Sequence, residues 1–332
     1  MDFIVPNGYW TAFIQFARNV GIEHPRLETE IGATKLSDKD TVALRKSLDT
    51  YGDNIGTINR MKRAVEELLA VAMQNLSNEQ VKSAVKYLNQ LTDLCDFRGV
   101  QTDFCKMGAA PLLVPFVLHF VKEIRSLALS LVCALVQNRR ACQNAFALAH
   151  FVPILMHTAS DESCNMSQRK GLHALFCLCF GNRHVSQLFC QSGGIVKLLH
   201  FTRYAELATE SCFMLSKTLD IVPQYKRTAC DQRAIEELIN LAYETNDVIL
   251  QEKAVEALFN IVSDCDEAKK RARRKQCVLR PRLIALTDRL DEQQSTKDLA
   301  GACTQIIQCI YAGEVDEVKR ETAAGNLANK SN

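Results

Sequence analysis

Breakers are scarce in this sequence: 332 residues hold 14 glycines and 7 prolines, about half of ordinary usage. That excludes an all-β sandwich of many short strands, which needs a turn former every few residues. Charge of one sign is also missing. Lysines and arginines number 40 against 38 acidic residues, a net charge of +2, so no global field draws the chain to nucleic acid or to a membrane surface. Long apolar runs are absent. The longest, LLVPFVLHF, is broken by Pro115 and His119 and falls well short of the ~18 residues of a membrane helix. Phosphate-binding and nucleophile motifs (G-x-x-x-x-G-K-[ST], G-x-G-x-x-G, G-x-S-x-G) do not occur, and the expectation is that the protein is not an enzyme.

What is present is core-forming. Hydrophobic residues make up 47% of the chain, enough to bury a continuous core and to exclude disorder throughout. The 14 cysteines are spread over the whole length and read as small core hydrophobes rather than a disulfide framework. The opening MDFIVPNGYW has neither a basic n-region nor an apolar h-region, which leads to the expectation of a soluble, cytoplasmic protein.

The apolar stretches repeat. KMGAAPLLVPF, LAHFVPILMHT, QSGGIVKLLHF, DQRAIEELINL and VLRPRLIALTD centre on Leu112/Leu113, Ile154/Leu155, Leu198/Leu199, Leu238/Ile239 and Leu283/Ile284, with spacings of 42, 44, 40 and 45 residues. This is the period of two- or three-helix armadillo or HEAT units, about 40 to 47. They alternate with longer amphipathic segments that begin near Val81, Ile124, Ser167, Glu206 and Leu250. Ala84, Ala128, Ala174 and Ala257 allow close helix approach within them. The pattern predicts an all-α, armadillo-like right-handed superhelix, an α-solenoid of about five repeats with N-terminal capping helices.

Three regions follow: a helical cap over 1–77, repeats over 78–312, and a polar, frayed tail over 313–332. In the cap, the reading is a short helix from Tyr9 to Asn19, a loop at His24 and Pro25, and two helices parted by a turn at Gly52 to Gly56. Ser37 reads as a helix cap with Asp40 at the capping-box position.

In an α-solenoid the last helices of successive repeats line the concave face, where function usually sits. Two positions four apart face that groove in each repeat: Asn89/Asp93, Ser130/Ala134, His173/Cys177, Phe213/Lys217 and Glu256/Asn260. Extended-peptide binders of this fold repeat Trp and Asn there. Here only Asn260 matches, so a folded partner fits better. Arg125 and Arg169 add candidate anchors at the helix starts.

His173 and Cys177 share one helix face, with Cys179 and His184 nearby. A structural zinc site needs four convergent ligands, however, and Cys179 faces elsewhere, so no metal or cofactor is expected. Lys269 to Lys275 (KKRARRK) holds six cations in seven residues. It could act in nuclear import, but acid before base suits the solvated first helix of the last repeat. Glu236 and Glu237 are adjacent on a helix, face different ways, and read as surface.

Beside this reading stands a resemblance. LTDLCDFRGVQTDFCKMGAAPLL from Leu91, HALFCLCFGNRHVSQLFCQSGGIVKLL from His173, VEALFNIVSDC from Val255 and the upstream LRKSLDTYGDNIGTINRMKRAVEEL from Leu44 resemble the heat-shock protein 70 binding protein and Fes family of armadillo-type nucleotide exchange factors. D-F-C-x-x-G, Asp103 to Gly108, is the most specific element, and the likeness spans roughly residues 40 to 312. The resemblance implies a monomeric cytosolic co-chaperone whose concave face wraps the ATPase domain of heat-shock protein 70 and promotes ADP release, without catalytic residues. Its alternative is an armadillo adaptor or scaffold for another protein. The extreme N-terminus matches the family's substrate-mimicking segment poorly, and the chain ends NKSN rather than in a retention tetrapeptide.

Overall fold

In a computed structural model, the described residues are 55–72, 77–97, 99–161, 165–274, 277–291 and 298–311. The predicted cap elements before residue 55 and the tail after 312 lie outside them. Among the described residues the regular structure is helical, with no strand and no helix long and apolar enough to cross a membrane. The chain divides into two compact units, Met1–Ser192 and Gly193–Asn332, a boundary inside the region predicted as one repeat domain.

The first unit comprises α1 (Ile55–Ala72), α2 (Asn78–Leu94), α3 (Val100–Lys106), α4 (Val114–Val117), α5 (Lys122–Val136), α6 (Arg140–Leu148), α7 (Phe151–Ala159), α8 (Asn165–Cys179) and α9 (Arg183–Gln191). The long amphipathic segments read from the sequence are α2, α5 and α8, which lie side by side in that order, with α1 against α2 and α7 against α8. Their small residues do what spacing predicted: Ala84, Ala128 and Ala174 are wholly buried. Gly171 goes further. A Cβ there would lie 3.0 Å from the Ala159 backbone nitrogen and 3.3 Å from the Thr158 carbonyl carbon, so α8 meets α7 backbone to side-chainless backbone.

Large side chains fill the space between layers. Phe104, Phe116, Phe146, Phe151 and Phe189 are wholly buried, and each contributes roughly 1.5–3 kcal/mol through area removed from water. Phe146 and Phe151 meet edge to face at 4.7 Å. Buried polar groups close the helix ends. The Gln143 side-chain amide donates to Cys177 O and Phe180 O, both at 2.9 Å, giving two carbonyls at the C-terminal end of α8 a partner that the helix itself cannot supply.

The second unit comprises α10 (Gly194–Phe201), α11 (Ala205–Ile221), α12 (Lys226–Asp231), α13 (Ala234–Glu244), α14 (Val248–Ser263), α15 (Asp266–Ala272), α16 (Leu279–Asp291) and α17 (298–311). Here α11 and α14 are the long neighbours, α10 lies on α11, and α13 packs on α14 and α16. Ala257 is wholly buried, as predicted. The architecture is all-α and armadillo-type.

Two places depart from the repeat, and prolines account for the first. In the first repeat the apolar pair Leu112/Leu113 lies not in an α-helix but in a 3-10 turn, Ala110–Leu113, followed by the single turn of α4. Pro111 and Pro115 remove the amide hydrogens a longer helix would use. In the last repeat Leu283 is buried, but Ile284 is 43% exposed.

One backbone position recurs. The residues entering the second helices, Gly108, His150, Gly193, Arg233 and Val278, all have positive φ, from 50° to 82°. Glycine reaches this left-handed region freely. At Val278 the branched Cβ makes it a genuine outlier, held by the repeat around it.

No disulfide joins the described cysteines. Burial pushes the thiols of Cys95, Cys190, Cys212 and Cys230 up to about 12 and those of Cys277 and Cys303 to about 11, as apolar surroundings disfavour the thiolate.

Candidate partner-binding surfaces

In the first unit Asn89 and Asp93 are both exposed on α2, as are Lys82 and Lys86, while Ala84, Leu88, Leu91 and Leu94 bury the opposite stripe. Ser77 fixes the start of this helix through a capping box with Gln80, so the register of the exposed pair is set by local sequence.

On α5, Ser130 is half-buried. Its hydroxyl donates to Ser126 O at 3.0 Å and accepts from the Lys170 ammonium at 2.9 Å, and Lys170 also reaches Ser126 O at 3.3 Å. A cation of α8 is thus bound onto α5 at the position read as groove-facing. Arg169 and His173 are exposed on α8, and Cys177, one turn beyond His173, is buried with its sulfur 3.7 Å from Nε2 of that ring. Sequence spacing gave this pair but not Cys133 of α5. The three donor atoms lie within 4.8 Å of one another.

Arg125 corrects the sequence reading. It is not an exposed anchor but is 9% exposed, its Nε donating to Ser167 Oγ at 2.8 Å and its Nη1 lying 3.3 Å from Asp161 Oδ2. The guanidinium joins α5 to the start of α8, so its energy belongs to the fold. Just before α5, the Val121 amide donates to His119 Nδ1 at 3.0 Å, and the ring stacks on exposed Phe120 at 4.5 Å. Burial, with the nearby Arg125 charge, holds the His119 imidazole below its ordinary value of 6.5.

In the second unit Phe213, Lys217 and Glu256 come together. The Lys217 ammonium is 2.7 Å from Glu256 Oε1. Lys253 reaches Glu256 Oε2 at 3.2 Å and Glu252 Oε1 at 2.9 Å, and both ammoniums sit 5.4 Å from the centre of the Phe213 ring. Burial raises the Glu256 carboxyl, but hydrogen bonds from Lys217 and Lys253 outweigh it, so the net direction is downward. Beside this cluster a cleft of about 420 Å³ opens between α14 and α17, lined by Val248, Glu252, Glu256, Phe259, Asp298 and Leu299 among others. Two paired cations over an aromatic ring beside an acid-edged cleft make a surface that can receive both apolar and charged groups.

Asn260 is a second correction. Its amide donates to Ser216 O at 2.9 Å and Ser216 Oγ at 3.3 Å, so the one residue that matched the peptide-clamping pattern is turned onto the neighbouring helix.

The start of the basic run closes α15, with Asp266 and Glu267 in the helix's first turn and Lys269, Lys270 and Arg271 in its last. Arg271 grips Glu236 through two nitrogens, at 2.9 and 3.0 Å, and Arg273 donates to Ile310 O at 2.8 Å. Lys270 of this run is solvated, Arg271 is partly buried against Glu236 and Ala272 is buried, while Lys275 lies outside the described residues. Glu236 and Glu237 do face different ways, but each is paired, Glu237 with Arg203 at 2.7 Å.

The partners missed by sequence, Lys170, Lys253 and Cys133, share one signal. Each contacts a predicted position either one turn away on its own helix or one repeat length away in sequence.

No family model matches the chain. Curated relatives are found: Hsp70-binding protein 1 of Mus musculus is 23% identical over 233 residues, 69% of this chain and 65% of that protein, and the Homo sapiens protein gives the same figures. The match therefore spans just under two thirds of the length of these relatives. Among solved structures, an engineered protein superposes with a TM-score of 0.61 at 17% identity, covering 75% of this chain and 97% of its own. A designed armadillo repeat protein in complex with the peptide (KR)4 gives 0.59 at 16%, covering 74% and 98%. The armadillo-type fold and the likeness to Hsp70-binding protein 1 agree with the resemblance carried by D-F-C-x-x-G and its neighbouring stretches.

Proposed function

We propose that this chain is a co-chaperone that binds heat-shock protein 70, acting as a monomer in the cytosol, and that it promotes ADP release from the chaperone's ATPase domain. The observation that carries the reading is its likeness over 233 residues to proteins named for binding Hsp70, on an armadillo-type fold. The surfaces that would meet the partner are the exposed α2 and α8 positions Asn89, Asp93, Arg169 and His173 in one unit, and the Phe213, Lys217 and Glu256 cluster in the other.

The mechanism needs no catalytic group. If the factor binds the open, nucleotide-poor ATPase domain better than the closed one, ADP weakens factor binding by the same ratio that the factor weakens ADP. A coupling of about 3 kcal/mol is roughly 150-fold in affinity. An extended-peptide adaptor is the less favoured reading, since the Asn260 amide already bonds Ser216.

The test is release of a fluorescent ADP analogue from the purified ATPase domain. Micromolar protein should accelerate it. Lys217→Glu and Arg169→Glu should each weaken chaperone binding about tenfold, a 1.4 kcal/mol loss, while helicity stays unchanged. No acceleration with binding intact leaves an Hsp70-binding scaffold, and no binding at all overturns the proposal.

A further inference from the structure

We infer that Cys133, His173 and Cys177 form a binding site for a thiophilic divalent ion of the Zn²⁺ class. The donors come from two adjacent helices, Cys133 from α5 and the other two from α8, and all three donor atoms lie within 4.8 Å of one another. Zinc–sulfur and zinc–nitrogen bonds of ~2.3 and ~2.05 Å at a tetrahedral angle put sulfur and nitrogen about 3.6 Å apart. The observed Cys177 sulfur to His173 Nε2 separation is 3.7 Å, so this edge of the tetrahedron is already drawn. Small side-chain rotations close the remainder.

The frame is rigid where it needs to be. Gln143 holds the Cys177 carbonyl at 2.9 Å, Lys170 ties α8 to Ser126 and Ser130 of α5 one turn before His173, and Gly171 seats α8 closely against α7. A site on braced helices keeps its donors in register. Two sulfurs and one imidazole select zinc-class ions over magnesium or calcium, which prefer oxygen.

Binding releases two thiol protons to solvent, and two thiolates neutralise the divalent charge. Burial grades from Cys177, buried, through half-buried Cys133, to exposed His173. The fourth coordination position therefore lies on the solvent side, open to water or to a side chain of a docked protein. The site stands independently of the chaperone reading.

The experiment titrates reduced, metal-free, full-length protein with Co²⁺ and then Zn²⁺. One equivalent of Co²⁺ should give a thiolate-to-cobalt charge-transfer band with the intense visible bands of a tetrahedral ion, and Zn²⁺ should displace it. His173→Ala, an exposed change that leaves the core alone, and Cys133→Ser should each weaken affinity beyond the roughly 10–100-fold that loss of an outer-shell partner costs. Cys309→Ser, on another helix, should leave the spectrum intact. Zn²⁺ should also raise the melting temperature of the parent protein and not that of His173→Ala. Absence of the tetrahedral spectrum, or its persistence unchanged in both ligand variants, overturns the site.

Discussion

The links between the long helices are built differently in the two units. In the first, α5 and α8 are joined by Arg125 to Ser167 and Lys170 to Ser130, and Cys133 of α5 lies beside Cys177 and His173 of α8. In the second, α11 and α14 are joined by carboxylate–ammonium pairs over the Phe213 ring and by Asn260 on Ser216. The same repeat thus carries its interhelical links at different depths. Arg125 is 11% exposed at its side chain, whereas Lys217 is 33% exposed. A deep link stabilises the fold, and a shallow one remains free to exchange partners.

The largest break in that contrast should come from Gly171, whose counterpart in the aligned helix of the second unit is Ala254, wholly buried. Gly171→Leu forces side-chain atoms into the α7 backbone and should destabilise the first unit by roughly 3 kcal/mol or more. Denaturant unfolding with unit-resolved hydrogen exchange should show early opening of the first unit while the second keeps its protection.

Arg125→Ala should cost less, about 2 kcal/mol, by removing the buried hydrogen bond to Ser167 and the ion pair with Asp161. Lys217→Ala should cost under about 1 kcal/mol, because solvent screens its pair. Equal losses in thermal melts would erase the proposed difference in depth.

The smallest effect concerns acid. The folded His119 imidazole lies below its ordinary 6.5. Its contribution is therefore complete above that value and lost as pH falls through the depressed folded one. Glu256 is likewise held below its ordinary 4.5, so its contribution also disappears on acidification, but only lower down. From about pH 7 to about pH 5, exchange protection should decline near α5 and not in α14. His119→Gln should flatten the decline.

The repeat was legible because burial imposes helical periodicity on the sequence, and Ala84, Ala128, Ala174 and Ala257 occupy the positions that close packing demands. The left-handed entry to each second helix was legible only where glycine marks it, at Gly108 and Gly193. At His150, Arg233 and Val278 the fold overrides local preference, and no residue type announces the turn.

The site was harder to read for a related reason. Its bonds join residues one repeat apart: Arg125 with Ser167, Ser130 with Lys170, Lys217 with Glu256 and Ser216 with Asn260, at separations of 42, 40, 39 and 44. Two positions per helix, compared down the array, include exposed Asn89, Asp93 and His173 but also buried Cys177. They do not reveal which neighbour across the seam takes hold of a side chain, as Asn260 and Arg125 demonstrate.

The buried thiols give the molecule its own record of motion. With Cys95, Cys190, Cys212 and Cys230 pushed up to about 12 from 9.0, opening a layer to water multiplies the reactive thiolate about a thousandfold. Because these sulfurs sit at the end of α2 and in α9, α11 and α12, a brief pulse of alkylating reagent stamps each layer with the time it spent open. A chain that fills its core with sulfhydryls is thereby dated, helix by helix, by its own chemistry.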